Sequence, residues 1–294
     1  MTFDIGDGVD STVNYILDNF APLLDLIAAA IGAVTNSIQA ALLATPMPLG
    51  IALLALLSLW RVGVGFAVFS ALSLWLVDHM GLWSALMETL SLVLASTLVA
   101  MLIGLPLGIA MARSDRTAAI VRPVLDLMQT MPAFVYLIPA AMFFGLGVVP
   151  GTIATVIFSM PPVVRLTNLG IRQVHVEFIE AGNAFGCTAA QLLFKVQLPN
   201  ALPSIMAGIN QTIMLSLSMV VIASMIGAGG IGNTVLTGIQ RLDVGTGFEG
   251  GMAVVILAVI LDRITQSFGK ERAGLWRALF RRQAPQPVAS TATA

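Results

Sequence analysis

The sequence predicts an all-α protein, a polytopic bundle of membrane-spanning helices. Hydrophobic residues make up 57% of the 294-residue chain and charged residues only 10%, against about 25% charged residues in soluble domains. The mean hydropathy is +0.94, and most apolar residues are gathered in long runs. The single cysteine, Cys187, excludes an internal disulfide, and the isolated His79 and His175 predict no metal site.

The N-terminal region, residues 1–45, combines an acidic start with an amphipathic helix. The acidic start lacks the cationic region of a cleavable signal peptide, so none is expected. Between residues 11 and 45, apolar residues recur at helical spacing and polar residues share one narrow stripe. We predict a helix, bent or restarted at Pro22, that lies in the outer interface as a brace. An eighth span is the less favoured alternative, because two aspartates facing lipid would be costly.

A spanning helix needs about 20 mostly apolar residues, and the apolar runs after residue 45 predict seven spans. Residues 46–83 hold two short peripheral spans that meet at Arg61. One long helix with a snorkelling arginine is the alternative. The core domain, residues 84–268, holds the other five spans. These lie in residues 84–112 (one), 132–169 (two), 201–226 (one) and 250–268 (one).

The basic residues predict the orientation of the bundle. If the N-terminus lies outside, all of the 14 Lys and Arg residues except Arg241 fall in inner loops or in the tail. Residues 269–294 then form a cytoplasmic basic tail, which is partly disordered. No basic stripe runs outside short loops, so nucleic acid is not an expected partner.

The predicted spans are nearly free of titratable groups. An ion-coupled carrier usually holds its driving ion with such groups near the bilayer midplane, although backbone carbonyls at broken helices can also bind sodium. The sequence also lacks the phosphate-binding pattern GxxxxGK[ST], so we predict that this chain is not an enzyme and does not hydrolyse ATP. Energy therefore comes from another chain, unless the protein is a passive pore. The charge-free stretches are residues 89–112, 132–164, 201–240 and 250–261.

The segment 175–200 interrupts this apolar chain on the predicted inner side. Residues 176–185 predict a short helix with acids near its start, ended by Gly186 in a left-handed turn. Thr188, with Gln191 three residues later, predicts a capping box and a second helix that runs to Pro199. The product is a helix–turn–helix in the cytoplasm. Small side chains near its tip would let the groove of another protein approach closely.

The same segment carries a resemblance to a known family. Its residue order is Glu180-Ala181-Gly182, three residues, Gly186, nine residues, Val196, one residue and Leu198-Pro199. This order resembles the EAA loop of bacterial ABC import permeases, with Gly182 in place of an alanine and Val196 in place of an isoleucine. Four further stretches resemble the glycine betaine/proline betaine/choline permeases, and the similarity covers most of residues 46–268. These stretches are LDLMQTMPAFVYLIPA (125–140), PPVVRLTNLGIR (161–172), KVQLPNALPSIMAGINQTIMLSLSMVVIASMIGAGGIG (195–232) and LDR (261–263).

The resemblance implies the type I ABC importer permease fold and a bacterial inner-membrane importer of quaternary ammonium solutes. It implies two copies of this permease, two ATP-binding subunits and an outer binding protein, with ATP-Mg bound by the ATPase and no cofactor on this chain. A permease for another small solute, such as an amino acid, and an ATP-independent channel or carrier are the alternatives. The residues assigned to ATPase coupling are Glu180, Ala181, Gly182, Ala184, Gly186, Ala189, Leu198 and Pro199.

Other residues are candidates for the translocation pathway or for an outer gate, and each has an alternative role. Aromatic faces suit a quaternary ammonium cation, but aromatic residues in spans also serve packing. Polar groups in a span either line a cavity or hydrogen-bond a neighbouring helix, and the glycines either form a gate or a flexible turn. Arg122 and Asp126 predict a local pair on one helix or a part of the ATPase contact. The pathway candidates are Gln129, Thr130, Phe134, Tyr136, Asn210 and Gln211, and the outer-gate candidates are Gly227, Gly229 and Gly230.

Overall fold

A computed structural model describes residues 5–269, and every regular element in that range is a helix. The first six helices are α1 (Ile5–Leu43), α2 (Met47–Arg61), α3 (Val64–His79), α4 (Trp83–Arg113), α5 (Asp115–Thr130) and α6 (Ala133–Phe144). The next six are α7 (Val148–Arg172), α8 (Val176–Ala184), α9 (Ala189–Gln191), α10 (Leu198–Ser224), α11 (Ile231–Arg241) and α12 (Val244–Phe268). A π-helical segment, Leu192–Gln197, joins α9 to α10.

Helix α7 lies at the centre of the bundle, between α4 and α10. Glycines allow the close approach to α4: a Cβ on Gly104 would lie 2.6 Å from Val163 Cγ1, and one on Gly108 would lie 2.7 Å from Thr167 Cβ. These contacts advance together along both helices, so α4 and α7 run in parallel. Small residues also bring α10 close, where it runs antiparallel to α7. The pairs there are Gly151 with Ala223 and Gly170 with Ala201 and Ser204.

The described residues are roughly consistent with the predicted count of about seven spans, with the shorter apolar helices α2 and α3 as the peripheral pair. By length and composition, the described residues contain five helices that suffice to cross a membrane, or six if a bent pair is one span. The bent pair is α5 and α6, which meet at 100° where Met131 is extended before Pro132. The first span predicted within 132–169 is therefore only the 12-residue α6. The five helices are Ser11–Leu43, Trp83–Arg113, Val148–Arg172, Ala189–Ser224 and Val244–Phe268.

Residues 46–77 form two helices, as predicted, rather than one long helix. Gly63, with φ of 136°, separates α2 from α3. With 15 and 16 residues, the helices are each about 23 Å long, which is shorter than a full span. They pack against each other as a hairpin. Its tip touches the last turn of α12, where Arg61 Nη2 donates to the Ser267 carbonyl at 2.9 Å.

Helix α1 continues through Pro22, so of the two predicted alternatives the restart is wrong and the bend stays a prediction. The helix packs against α4 and α7, and Gly32 lies where a Cβ would be 3.4 Å from Val149. Its length and composition also qualify it as a span, so its placement in the outer interface stays a prediction. Most of the predicted basic tail, residues 270–294, lies outside the described residues.

Candidate functional site

The segment 175–200, which we call the coupling loop, folds as the sequence predicts at its turn. Helix α8 ends at Ala184, and Gly186 adopts the left-handed region with φ of 74°. Its N–H donates to the Asn183 carbonyl at 2.9 Å, and the Cys187 N–H donates to the Gly182 carbonyl at 3.0 Å. This pair of hydrogen bonds is a Schellman motif, which satisfies the last carbonyls of α8.

The second helix of the coupling loop starts at the predicted capping box. The Thr188 N–H donates to Gln191 Oε1 at 2.8 Å, and the Gln191 N–H donates to Thr188 Oγ1 at 3.3 Å. Both bonds satisfy donors that a helix start leaves free. Because they link residues three apart, the local residue order specifies them.

The prediction that this helix ends at Pro199 is wrong. The chain passes from α9 through the π segment into α10 without a break, and Pro199 occupies an early position of α10. The π-helical turn before Pro199 is wider than an α-helical turn, and this has a physical reason. Proline has no N–H to donate, and the Leu198 N–H bonds to the Leu193 carbonyl five residues back. The second helix of the coupling loop is therefore continuous with a core span.

The predicted coupling residues differ in exposure. Gly182 is buried, and a Cβ there would lie 2.7 Å from Leu192 Cδ1, so an alanine would require the Leu192 side chain to shift. Glu180, Ala181, Ala184, Gly186, Ala189 and Pro199 are exposed, and Leu198 is half-buried. Phe185, whose side chain is 90% exposed at the tip, was not among the predicted coupling residues. The sequence does mark its position, because Phe185 directly precedes the glycine of the predicted turn.

The pathway candidates near the α5–α6 bend occupy different environments. The Tyr136 ring is buried, and its hydroxyl donates to the Met128 carbonyl at 2.6 Å across the bend. Phe134 is 54% exposed, and Gln129 and Thr130 are exposed at the end of α5. Tyr136 thus stabilises the bend, whereas the other three are available to a partner or solute.

The polar turn of α10 is divided in the same way. Asn210 Nδ2 donates to Asp262 Oδ1 of α12 at 2.9 Å, so it holds two helices together. Gln211, the next residue of α10, is exposed. Asp262 also accepts from Gln266 Nε2 at 2.7 Å. The sequence reading did not assign Asp262 a role, although it follows directly after a charge-free stretch.

Ion pairs tie α5 to α7 at the predicted inner end of the bundle. Asp126 pairs with Arg165 of α7, which corrects the predicted local pair with Arg122. Arg172 binds Asp115 at 2.7 Å, and its second nitrogen donates to the Met111 carbonyl, also at 2.7 Å. A contact between helices was invisible in the sequence because Asp126 and Arg165 are 39 residues apart.

The predicted outer-gate glycines lie in a loop between α10 and α11, residues 225–230, which we call the glycine loop. Gly227, Gly229 and Gly230 have φ of 85°, 77° and 72°. Only glycine adopts such angles at little cost. The loop contacts Glu88 and Thr89 of α4, neither of which the sequence reading singled out.

No group of three metal-binding side chains occurs within residues 5–269. Each of the two histidines contacts an aromatic neighbour. His79 lies on Trp75 with ring centroids 5.7 Å apart, and His175 meets Phe178 edge-on at 6.1 Å.

Comparison with known proteins gives a family and several relatives. The family model described as "Binding-protein-dependent transport system inner membrane component" matches residues 104–271. The glycine betaine/proline betaine transport system permease protein ProW of Escherichia coli (strain K12) is 51% identical over 264 residues, which are 90% of this chain and 74% of the relative. The glycine betaine/carnitine transport permease protein GbuB of Listeria monocytogenes is 50% identical over 274 residues, which are 92% and 97% of the two chains. The glycine betaine transport system permease protein OpuAB of Bacillus subtilis (strain 168) is 48% identical over 263 residues, which are 90% and 93% of the two chains.

A solved structure of inward-facing conformations of the MetNI methionine ABC transporter has the same fold. It matches with a TM-score of 0.57 at 22% sequence identity, over 64% of this chain and 95% of that chain. The identity is low, so the likeness concerns the arrangement of helices alone.

Proposed function

We propose that this chain carries quaternary ammonium solutes of the glycine betaine class. It belongs to the family of binding-protein-dependent transport system inner membrane components and is the permease subunit of an ABC importer. Its bundle has the type I ABC importer permease fold. It is a multi-pass inner-membrane protein and not an enzyme, because a separate ATPase hydrolyses the ATP. Family membership also implies a binding protein as a partner.

One observation supports the coupling role of the loop: its second helix continues without a break into α10, which packs against the central helix α7. A force applied at the tip therefore reaches the middle of the bundle. In the proposed complex, two copies of the chain each contact one of two ATPase subunits, which bind ATP-Mg. The ATPase drives the change by binding one state of the permease more tightly than the other.

The tip of the coupling loop fits a protein groove. Phe185 exposes 90% of its side chain beside the small residues Ala184, Gly186 and Ala189. A large apolar side chain in water favours burial by a partner, and small neighbours let the partner approach the backbone. This proposal places the loop in the cytoplasm, with the N-terminus outside.

The test of coupling combines variants of the tip with an outer control. Phe185→Ala should lower retention of the ATPase subunit during purification, because it removes the apolar anchor. Phe248→Ala, which removes an aromatic side chain that is 67% exposed at the other end of the bundle, should leave retention unchanged. Glu180→Lys and Gly186→Pro should uncouple ATP hydrolysis from uptake while insertion into the membrane persists. Unchanged uptake in both of these variants would contradict the assignment.

The proposed pathway uses the exposed polar and aromatic candidates Gln129, Thr130, Phe134 and Gln211. A quaternary ammonium group has no N–H to donate, so it is attracted to an aromatic face rather than to an acceptor. The exposed ring of Phe134 offers such a face next to the α5–α6 bend. Tyr136 and Asn210 contribute indirectly, since their polar atoms bind Met128 and Asp262 within the chain.

Uptake assays test the proposed solute. Cells that lack other osmolyte importers and express the complete system should accumulate labelled glycine betaine, and excess proline betaine or choline should compete. Accumulation of an amino acid instead would overturn the solute class. Uptake that survives ATP depletion would indicate a channel or an ion-coupled carrier.

A further inference from the structure

We propose that Glu88 and Thr89 are positioning residues that hold the glycine loop closed over the outer ends of α4, α7 and α10. This inference rests on the proposed function, in which the glycine loop serves as the outer gate. The sequence offers no local reason for the pair, because Glu88 lies 142 residues from the glycine that it contacts.

Two consecutive backbone donors of the loop are bound by two consecutive side chains of α4. The Gly230 N–H donates to Glu88 Oε2 at 2.8 Å, and the Ile231 N–H donates to Thr89 Oγ1 at 2.8 Å. Both N–H groups belong to the start of α11, where helix donors have no partner within the helix. The positive end of the helix dipole further favours the Glu88 carboxylate at that position.

The glycines of the loop are needed for this contact as well as for their backbone angles. A Cβ on Gly229 would lie 3.1 Å from Glu88 Oε2, and one on Gly230 would lie 2.5 Å from Thr89 Oγ1. A side chain at Gly230 would push the loop away from α4, and one at Gly229 would displace the Glu88 carboxylate. The glycine loop and the acceptor pair are therefore shaped for each other.

The loop is held on its other side as well. The Gly147 N–H, directly before α7, donates to the Ile226 carbonyl at 2.8 Å, and the Ser224 hydroxyl lies 3.0 Å from the Gly229 carbonyl. Ala228 is 5% exposed and packs against Gly151 of α7. Release of the loop from α4 would thus uncover the outer ends of three core helices, and the half-buried Glu88 is the part of this contact nearest to water.

Thiol labelling of the complete transporter tests the proposal. The sole cysteine is replaced in a Cys187→Ser background, and Ala228→Cys supplies a reporter that is buried while the loop is seated. A membrane-impermeant maleimide should label this reporter at least about tenfold faster in Glu88→Ala and about three- to tenfold faster in Thr89→Val. A factor of ten corresponds to about 1.4 kcal/mol, which is near the low end for a hydrogen bond to a charged group, as at Glu88, and near the high end for one between neutral groups, as at Thr89.

Conservative variants distinguish the reach of the acceptor side chain from the charge of Glu88. Thr89→Ser keeps an acceptor at the same distance and should label within about twofold of the background. Glu88→Gln keeps an acceptor but loses the charge, so it should label faster than the background and more slowly than Glu88→Ala. Glu88→Asp keeps the charge but is one methylene shorter, so it should label as fast as Glu88→Ala. Glu249→Gln, an exposed acid on α12, is the matched control and should change nothing.

Two results would overturn the proposal. One is an unchanged labelling rate in both Glu88→Ala and Thr89→Val. The other is a Glu88→Gln variant that labels as fast as Glu88→Ala, together with a Glu88→Asp variant that labels as slowly as the background. That combination would mean that charge acts without the hydrogen bond. Ala100→Cys, at a fully buried site of α4, reports global unfolding and should stay unlabelled in every variant. Failure of the proposed transport function would appear separately, as absent uptake in the background protein.

Discussion

Substitution of Gly108 should separate α4 from α7 and destabilise the bundle. A Cβ at this position would lie 2.7 Å from Thr167 Cβ and 2.8 Å from the Val164 carbonyl oxygen. Carbon contacts are optimal near 3.5–4.0 Å, so the methyl group of Gly108→Ala would intrude by about 1 Å. The Val164 oxygen belongs to the backbone, so relief requires a shift of the helix rather than a rotation of a side chain. Overpacking of this kind costs about 1–3 kcal/mol.

Alanine also favours a helix over glycine by about 1 kcal/mol, which partly masks this cost. Gly251→Ala isolates the clash, because Gly251 also lies inside a helix and has nothing within 4 Å of its Cβ position. We expect Gly251→Ala to unfold at the same temperature as the parent or higher, and Gly108→Ala to unfold at a lower one. Tryptophan fluorescence of the purified chain during heating provides the measurement. Equal melting temperatures for the two variants would refute the close approach of α4 and α7.

Three further predictions concern single contacts. Tyr136→Phe removes the hydroxyl that binds the Met128 carbonyl, so it should lower the free energy of unfolding by about 0.5–1.5 kcal/mol in denaturant titrations; no change would indicate a bend stable without this bond. Arg61→Ala should loosen the α2–α3 hairpin from the last turn of α12, which limited proteolysis would detect as faster cleavage at the hairpin tip. Arg61→Lys should restore the resistance to proteolysis only in part, because lysine lacks the planar group that stacks on Phe268. Hydrogen bonds from the Thr246 side chain and backbone lower the pKa of Asp243, so its contribution to stability is present at neutral pH and is lost as the pH falls through that lowered pKa. Asp243→Asn should weaken this acid dependence of the melting temperature, and an unaltered profile would speak against the cap.

Local patterns in the sequence predicted much of the fold and of the coupling loop. The spans in 84–112, 201–226 and 250–268 correspond to α4, α10 and α12, because each is a long run of apolar residues. The prediction at Pro199 was wrong for a reason of context. A proline ends an isolated helix, but here a π turn accommodates the missing donor while α10 is held in the bundle.

The sequence identified candidate residues of the site but left the roles of several of them open. Asn210 carries a polar signal in its own segment, but only its contact with Asp262 distinguishes a helix-bridging role from a role in the pathway. Tyr136 had two possible roles, and the α5–α6 bend places its hydroxyl on a backbone carbonyl. A bend of 100° depends on what both helices pack against, and a sequence pattern does not report this.

The sequence by itself determined the helical class, the membrane environment and the turn of the coupling loop. The Schellman motif at Gly186 and the capping box at Thr188 join residues at most five positions apart, so the residue order specifies them. Only the tertiary structure decided that Glu88 reaches Gly230 across 142 residues and that Arg61 reaches Ser267 across 206. Contacts of this range depend on which helices pack together, and apolar helices can pack in many arrangements until small residues such as Gly108 select one.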